Sequence, residues 1–256
     1  MIANYHTHTF RCHHANGTEE EYVERAIEGG LKILGFSDHA PFAFPDGHQS
    51  GYRVRTEEAE DYIQTINALK EKYKDIIEIF VGFEMEYYPA YFDDMLSYIK
   101  KLGAEYLILG QHFIVDEYPV SRYSMSPNNT LADLKDYVDC VIEGMKSGAF
   151  SYVAHPDIVR YDSQTEDYYN QMKRLCIEAK KLDIPLEINF LGISDKRIYP
   201  NPQFFRIAGE VGNKVIFGSD AHNAKSVFAP HCIEIAEKFV SDFGLSKIDT
   251  LNFKKL

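Results

Sequence analysis

The chain has 256 residues, 45% of them hydrophobic, with 10 histidines, 4 cysteines and a formal net charge of −12. That length suits one α/β barrel or two small domains, and the apolar content can fill a sizeable core. The acidic balance argues against a general nucleic-acid binder, and no stretch approaches the ~18 apolar residues of a membrane span, so neither nucleic acid nor a membrane is expected as a partner.

Strands and helices are expected to alternate along the whole chain. The first apolar run, Ile2-Ala3-Asn4-Tyr5, lacks the basic flank of a secretory signal, and no C-x-x-C pair occurs among Cys12, Cys140, Cys176 and Cys232. Both features predict a cytoplasmic protein with reduced thiols. Thr18-Glu19-Glu20-Glu21 reads as a capping box opening a helix that stops at Gly29-Gly30. A second strand is expected at about 33–37. It is followed by a loop rich in Pro, Gly and aromatics, where Phe42 to His48 either forms a lid or packs the barrel mouth. A charged helix from Thr56, a strand at about 77–84, a helix from Pro89 to Gly103 and a strand at about 106–110 come next. Thr130 should cap a helix whose apolar face docks on the sheet. A fifth strand at 151–154, a helix around Met172 to Leu182 and a sixth strand at 185–190 follow. A short helix at 202–211, a strand at 214–218 and a last helix at about 226–242 complete the pattern. Regular alternation implies parallel strands with helical crossovers in a single domain over residues 1–256. A barrel is expected, with an open doubly wound sheet as the alternative.

Metal-capable side chains recur just past the apolar runs. They are His6, His8 and His14 after the first, His39 after the second, Glu84 after the third, and His112 after the fourth. His155 follows the fifth, and Asp220 with His222 the last. Strand alternation lets His6 and His8 grip one ion. Catalytic groups in strand–helix barrels gather at the strand C-termini, so these residues should converge on one rim as a multinuclear metal site. Each histidine alone reads as a hydrogen-bonded or surface residue; the joint placement is what points to metal. His48 and His231 are read as non-ligands, and His13 competes with His14.

His6-x-His8, Asp38-His39, Glu84, His112, Ala154-His155-Pro156 and Ser219-Asp220-x-His222 together resemble the motif series of the PHP (polymerase and histidinol phosphatase) superfamily. Within it, Ser37-Asp38-His39-Ala40-Pro41, Gly82-x-Glu84-x-Glu86-Tyr87 and Gly110-Gln111-His112-Phe113 are similar to the single-domain histidinol-phosphate phosphatases. Ala15 departs from the pattern, standing where a Gly is common. The resemblance implies a distorted seven-stranded (β/α)7 TIM-like barrel and up to three metals. It assigns His6, His8, Glu84 and Asp220 to the first metal. Glu84 would bridge to a second with His112 and His155, and His14, His39 and His222 would hold the third. It also implies the substrate, L-histidinol phosphate, and a step in histidine biosynthesis.

Imidazole and carboxylate donors without thiolate suit Zn, Fe or Mn, and the resemblance implies two or three such divalent ions. Such ions clamp a phosphoryl group, and attack by a metal-bridging hydroxide is the expected chemistry, with Glu84 as the most damaging loss. Asp38 either orients a ligand, shuttles a proton or is a structural carboxylate. Glu86 and Asp157 are weaker candidates for supporting carboxylates. A small phosphorylated substrate needs further cations, and Arg160 and Arg197, on loops leaving the fifth and sixth strands, are expected to bind its phosphate. Arg53, Arg122 and Lys196 are lesser candidates. The rivals are another phosphoesterase of the same superfamily, acting on nucleotides, nucleic-acid ends or phosphotyrosine, and a non-catalytic metal-binding module. The oligomeric state is not legible in the sequence.

Overall fold

A computed structural model describes residues 1–256. Its strands are β1 Ala3–Asn4, β2 Ile33–His39, β3 Glu78–Met85, β4 Tyr106–Leu109, β5 Leu186–Asn189, β6 Lys214–Gly218 and β7 Ser246–Lys247. The helices are α1 Glu19–Glu28, α2 Ala59–Tyr73, α3 Phe92–Leu102, α4 Leu131–Lys146, α5 Glu166–Lys181, α6 Phe190–Ser194, α7 Pro202–Val211 and α8 Pro230–Phe243. Local chemistry sets their ends. Thr18 and Thr130 make capping boxes with Glu21 and Asp133, and Gly103, Gly212 and Gly244 close helices in the left-handed conformation that glycine adopts without a Cβ clash. Pro230 restarts the chain as α8, so the single last helix expected from about 226 is split into a short 3₁₀ turn, Ala224–Val227, and α8.

Every strand pair is parallel, in two sheets ordered β1-β2-β3-β4 and β5-β6-β7. The sheets meet at Val153, which bridges Leu109 on one side and Leu186 on the other. Across the molecule Thr7 bridges Ala221, beyond the end of β6. The result is a curled parallel α/β arrangement rather than one continuous sheet. The segment 151–154, expected as a strand, donates Ser151 N–H to Leu107 O at 2.8 Å and Val153 N–H to Pro185 O at 3.0 Å. It then turns away at once, because His155 takes a positive φ of 29° and Pro156 follows. The additional strand, β7, pairs with the start of β6 and comes from a tail that sequence reading placed in no element. No helix is long and apolar enough to cross a membrane.

Side-chain alternation divides the strands into two faces. Leu34, Phe36, Ile79, Val81, Phe83, Leu107, Leu109, Ile188, Val215 and Phe217 pack under the helices. Ala3, Tyr5, Tyr106, Ile108, Tyr152, Ala154 and Ile216 form a separate inner cluster. Phe253 from the C-terminal tail joins it, stacked on Tyr106 at 4.7 Å. Large and small residues alternate within this interior. A Cβ on Gly35 would fall 2.3 Å from the Tyr106 hydroxyl oxygen, and one on Gly82 would fall 2.2 Å from the Tyr106 carbonyl. The inner apolar layer ends where the inward positions become Glu84, Glu187 and Asn189.

Candidate metal centre

Glu84 is the last inward position on β3 and is 1% exposed. Five imidazoles surround its carboxylate. His155 Nε2 lies 2.8 Å and His112 Nε2 3.7 Å from Oε1. His39 Nδ1 at 3.1 Å, His6 Nε2 at 3.5 Å and His8 Nε2 at 3.6 Å face Oε2. Asp220 Oδ1 adds a second anchor, 3.2 Å from His8 Nε2, 3.4 Å from His222 Nδ1 and 3.6 Å from His6 Nε2. His14 joins through His222, their Nε2 atoms 2.9 Å apart. All nine residues expected to gather therefore do so at one end of the curled parallel sheets. They fall into ligand-sized groups that include His6/His8/Glu84, His39/Glu84/His112, His6/His155/Asp220 and His14/His39/His222. Cys12 reaches a further group with His8 and His222. His13 turns aside to Glu58, 3.7 Å away; His48 stacks on Tyr118, and His231 lies against Ser194 and Cys232.

The donor set fits divalent cations. His6 Nε2, both ring nitrogens of His8, His39 Nδ1, His155 Nδ1 and Glu84 Oε2 are buried without a hydrogen-bond partner. Buried polar atoms are normally paired, and the orphans that converge, His6 Nε2, His8 Nε2 and His39 Nδ1 around Glu84 Oε2, call for an acceptor of lone pairs. His155 and Asp220 sit at φ 29° and 48°, which costs about 1–3 kcal/mol for a non-glycine residue and clusters at functional sites. Without cations the charges are divided among the rings. Burial alone would lower His6 and His8, but Glu187, Asp220 and Glu84 hold His6 well above its usual value. Asp220 and Asp38 push His8 up to about 9. Burial and the neighbouring His8 charge drive His39 well down and His222 to about 3. Burial opposes ionisation of Glu84 and Asp220, yet the imidazoles keep both carboxyls well below the usual range.

A supporting layer orients the rings. Glu187, an inward residue of β5, takes His6 Nδ1 at 2.8 Å and accepts from His155 N–H at 2.9 Å. Asn189 Nδ2 donates to Glu187 Oε2 at 2.8 Å and to Asp220 Oδ2 at 3.1 Å. Sequence reading singled out neither residue; the available signal was a carboxylate inside the apolar run Leu186-Glu187-Ile188. Glu86 takes His112 Nδ1 at 2.8 Å. Asp38 is fully buried, accepts from Thr9 N–H at 3.0 Å and His39 N–H at 2.8 Å, and stands 3.5 Å from His8 Nδ1. Those contacts favour orientation of the His8 loop over proton shuttling. Asp157 accepts from Asn201 N–H, away from the ligands.

A cavity of about 530 Å³ opens onto His14, His39, His112, Asp220 and His222. Tyr52, Phe113, Tyr123, Met125, Ile158 and Leu191 form its walls, and Arg197 and Tyr199 flank the ligands. Arg197 is held by Asp195, 2.8 Å from Nη2, and donates from Nη1 to the Tyr199 hydroxyl at 2.9 Å. Arg160 is exposed and lines an adjoining cleft with Asp157, Ile198 and Asn201. Arg53 is buried between Glu86 and Glu117, and Arg122 pairs with Asp133 and Asp136, so neither lines this cavity. Phe42 and Phe44, in the loop expected either as a lid or as packing, are buried against each other and Tyr88, which is packing.

Residues 4–191 match the family model of the PHP domain. A Deinococcus radiodurans protein named "Probable histidinol-phosphatase" is 26% identical over 88% of this chain and 88% of its own length. Bacillus subtilis histidinol-phosphatase is 24% identical over 87% of this chain and 94% of its own. Among solved structures, histidinol phosphate phosphatase from Lactococcus lactis, complexed with zinc, L-histidinol and phosphate, superposes with a TM-score of 0.76 at 19% identity. That match covers 99% of this chain and 98% of the other.

Proposed function

Because the chain belongs to the PHP domain family, we propose that it is a metal-dependent phosphomonoesterase that hydrolyses L-histidinol phosphate to L-histidinol and phosphate. One observation carries the chemistry: nine residues with nitrogen or oxygen donors, Glu84 at their centre, gather beside a cavity that also presents Arg197. The histidinol-phosphatase names of similar proteins support the substrate. We take residues 1–256 as one functional unit, since Asp220 and His222 lie beyond the matched 4–191 and belong to the same cluster.

His6, His8, Glu84 and Asp220 would hold one ion, Glu84 with His112 and His155 a second, and His14, His39 and His222 a third. Bound there, Zn, Fe or Mn supplies Lewis acidity, which neutralises phosphoryl oxygens and lowers the pKa of water towards ~7. The protein's own part is placement. Arg197, braced by Asp195, offers a fixed guanidinium to the phosphate. Tyr199 accepts from Arg197, so its own O–H is free to donate into the cavity. Tyr52, Phe113 and Tyr123 offer flat faces on which an imidazole ring can stack. Glu187 and Glu86 fix ring orientation, and Asp38 anchors the loop that carries His8.

The test is phosphate release by metal-reconstituted protein from L-histidinol phosphate, nucleoside monophosphates and phosphotyrosine, with Glu84→Ala as control. Preference for histidinol phosphate, lost in the variant, is expected. Preference for another ester would move the substrate within the family. Release from none would make the chain a metal-binding module.

A further inference from the structure

Arg53 is 2% exposed and lies outside the metal cluster, yet it joins the loops that follow three consecutive strands. It sits on the segment after β2, and its partners are Glu86, just after β3, and Glu117, in the loop after β4. Nη1 lies 2.8 Å from Glu86 Oε2, an ion pair rather than an aligned hydrogen bond, and also donates to Ala40 O at 3.3 Å. Nε and Nη2 donate to Glu117 Oε2 at 3.0 and 2.8 Å, and Nη2 also reaches the Tyr88 hydroxyl at 3.1 Å and the Tyr52 hydroxyl at 2.5 Å. These contacts leave the guanidinium committed within the protein.

Each carboxylate passes the constraint on. Glu86 Oε1 takes His112 Nδ1 at 2.8 Å. An ionised carboxylate only accepts, so Nδ1 carries the proton and the Nε2 lone pair faces Glu84, 3.7 Å away. Glu117 Oε2 accepts from the Tyr52 hydroxyl at 2.9 Å. The Tyr52 ring lies edge-on to His39 at 5.2 Å and lines the cavity.

We propose that Arg53 is a positioning residue with two outputs: through Glu86 it selects the metal-binding tautomer of His112, and both directly and through Glu117 it sets the Tyr52 wall of the substrate cavity. The first output rests on the proposed metal site, and the second on its phosphoester substrate. Burial explains why the pairs matter. A buried guanidinium or carboxylate that loses its partner is left with an uncompensated charge, so removing one member disturbs both neighbours.

The test compares Arg53→Met, Arg53→Lys, Glu86→Gln and Glu117→Gln in the full chain. Two readouts need no substrate: zinc affinity measured against a competing chelator, and long-range ¹H–¹⁵N spectra of the His112 ring in zinc-loaded protein. Arg53→Met and Glu86→Gln are expected to weaken one zinc by about 10–100-fold and to leave His112 as a tautomer mixture. Arg53→Lys, which keeps the charge, should recover part of both effects. Glu117→Gln should keep zinc affinity and a pure Nδ1–H tautomer while raising KM for L-histidinol phosphate severalfold. If Arg53→Met does not fold, Arg53→Lys and Glu86→Gln decide the first output. Wild-type zinc affinity together with an unchanged tautomer in Glu86→Gln and the folded Arg53 variants would overturn it, whatever ester the enzyme prefers. An unchanged KM at saturating zinc in both Glu117→Gln and the folded Arg53 variants would overturn the second.

Discussion

Gly110 lies beside Glu84 so closely that a Cβ at position 110 would stand 1.9 Å from Glu84 Oε1. The same relation holds between Gly218 and Glu187, at 1.8 Å. Each glycine precedes a ligand by two residues, so the strand that delivers His112 or Asp220 also clears room for a carboxylate from its neighbour. Gly110→Ala should therefore push Glu84 off His155 and reduce bound metal per chain, measured by elemental analysis, with secondary structure kept. Gly35→Ala is the contrast. Its Cβ would meet the Tyr106 hydroxyl and the Tyr5 backbone, and it should cost about 1–3 kcal/mol of stability by denaturant titration. Full metal content in Gly110→Ala would show that Glu84 has other room.

Glu187 should matter for metal retention although it is not proposed as a ligand. It orients His6 by its side chain and His155 by its backbone N–H. Supporting carboxylates of this kind are typically worth ~10–100-fold in metal affinity. Glu187→Gln keeps the shape and loses the charge, so it should weaken zinc by about 10-fold, and Glu187→Ala should weaken it further. Equal zinc affinity in both variants and the parent would leave Glu187 as a packing residue.

The clustered residues were legible because they follow apolar runs, and parallel strands in a curled sheet carry all such ends to one rim. Helix caps were legible for a local reason: Thr18 and Thr130 act through residues three positions away. What was hidden depends on distant partners. The run at 151–154 has strand composition, but the turn at His155 leaves a single bridging residue, Val153, between two sheets. The five-residue α6 is too short for periodicity to register. Arg53 reads as a loop cation until the fold brings Glu86 and Glu117 to it. Which loop arginine lines the cavity depends on turns after His155 and Asn189 that no spacing encodes.

Metal removal should make stability fall with rising pH above 6.5. In the metal-free protein His8 is raised to about 9 from 6.5, so the stability it contributes is complete below pH 6.5 and is lost as pH rises through 9. His222, lowered to about 3, works at the other side, because the unfolded chain takes up its proton as pH falls from 6.5 towards 3. The depressed Glu84 and Asp220 add a further loss at acid pH. Metal binding needs neutral imidazoles, so its stabilisation grows as His8 gives up its proton. The Tm gap between zinc-loaded and chelator-treated protein should widen steadily from pH 6.5 to 9. A gap independent of pH over that range would mean that His8 is already neutral in the metal-free state.

Arg197 and Arg160 can be ranked by position. Arg197 lines the ligand cavity and is braced by Asp195 and Tyr199, so little side-chain freedom remains to be lost when a phosphate arrives. Arg160 lines the neighbouring cleft and is not among the residues that line the cavity of Arg197. Arg197→Met is therefore expected to lower kcat/KM for L-histidinol phosphate by about 10²-fold, the scale of one charge-assisted contact in a closed site. It should also weaken inhibition by inorganic phosphate, with metal content unchanged. Arg160→Met should cost clearly less on both measures. If Arg160→Met proved the more damaging, the phosphate would lie towards the adjoining cleft, and Arg197 would instead serve to hold Tyr199 and Asp195 in the cavity wall.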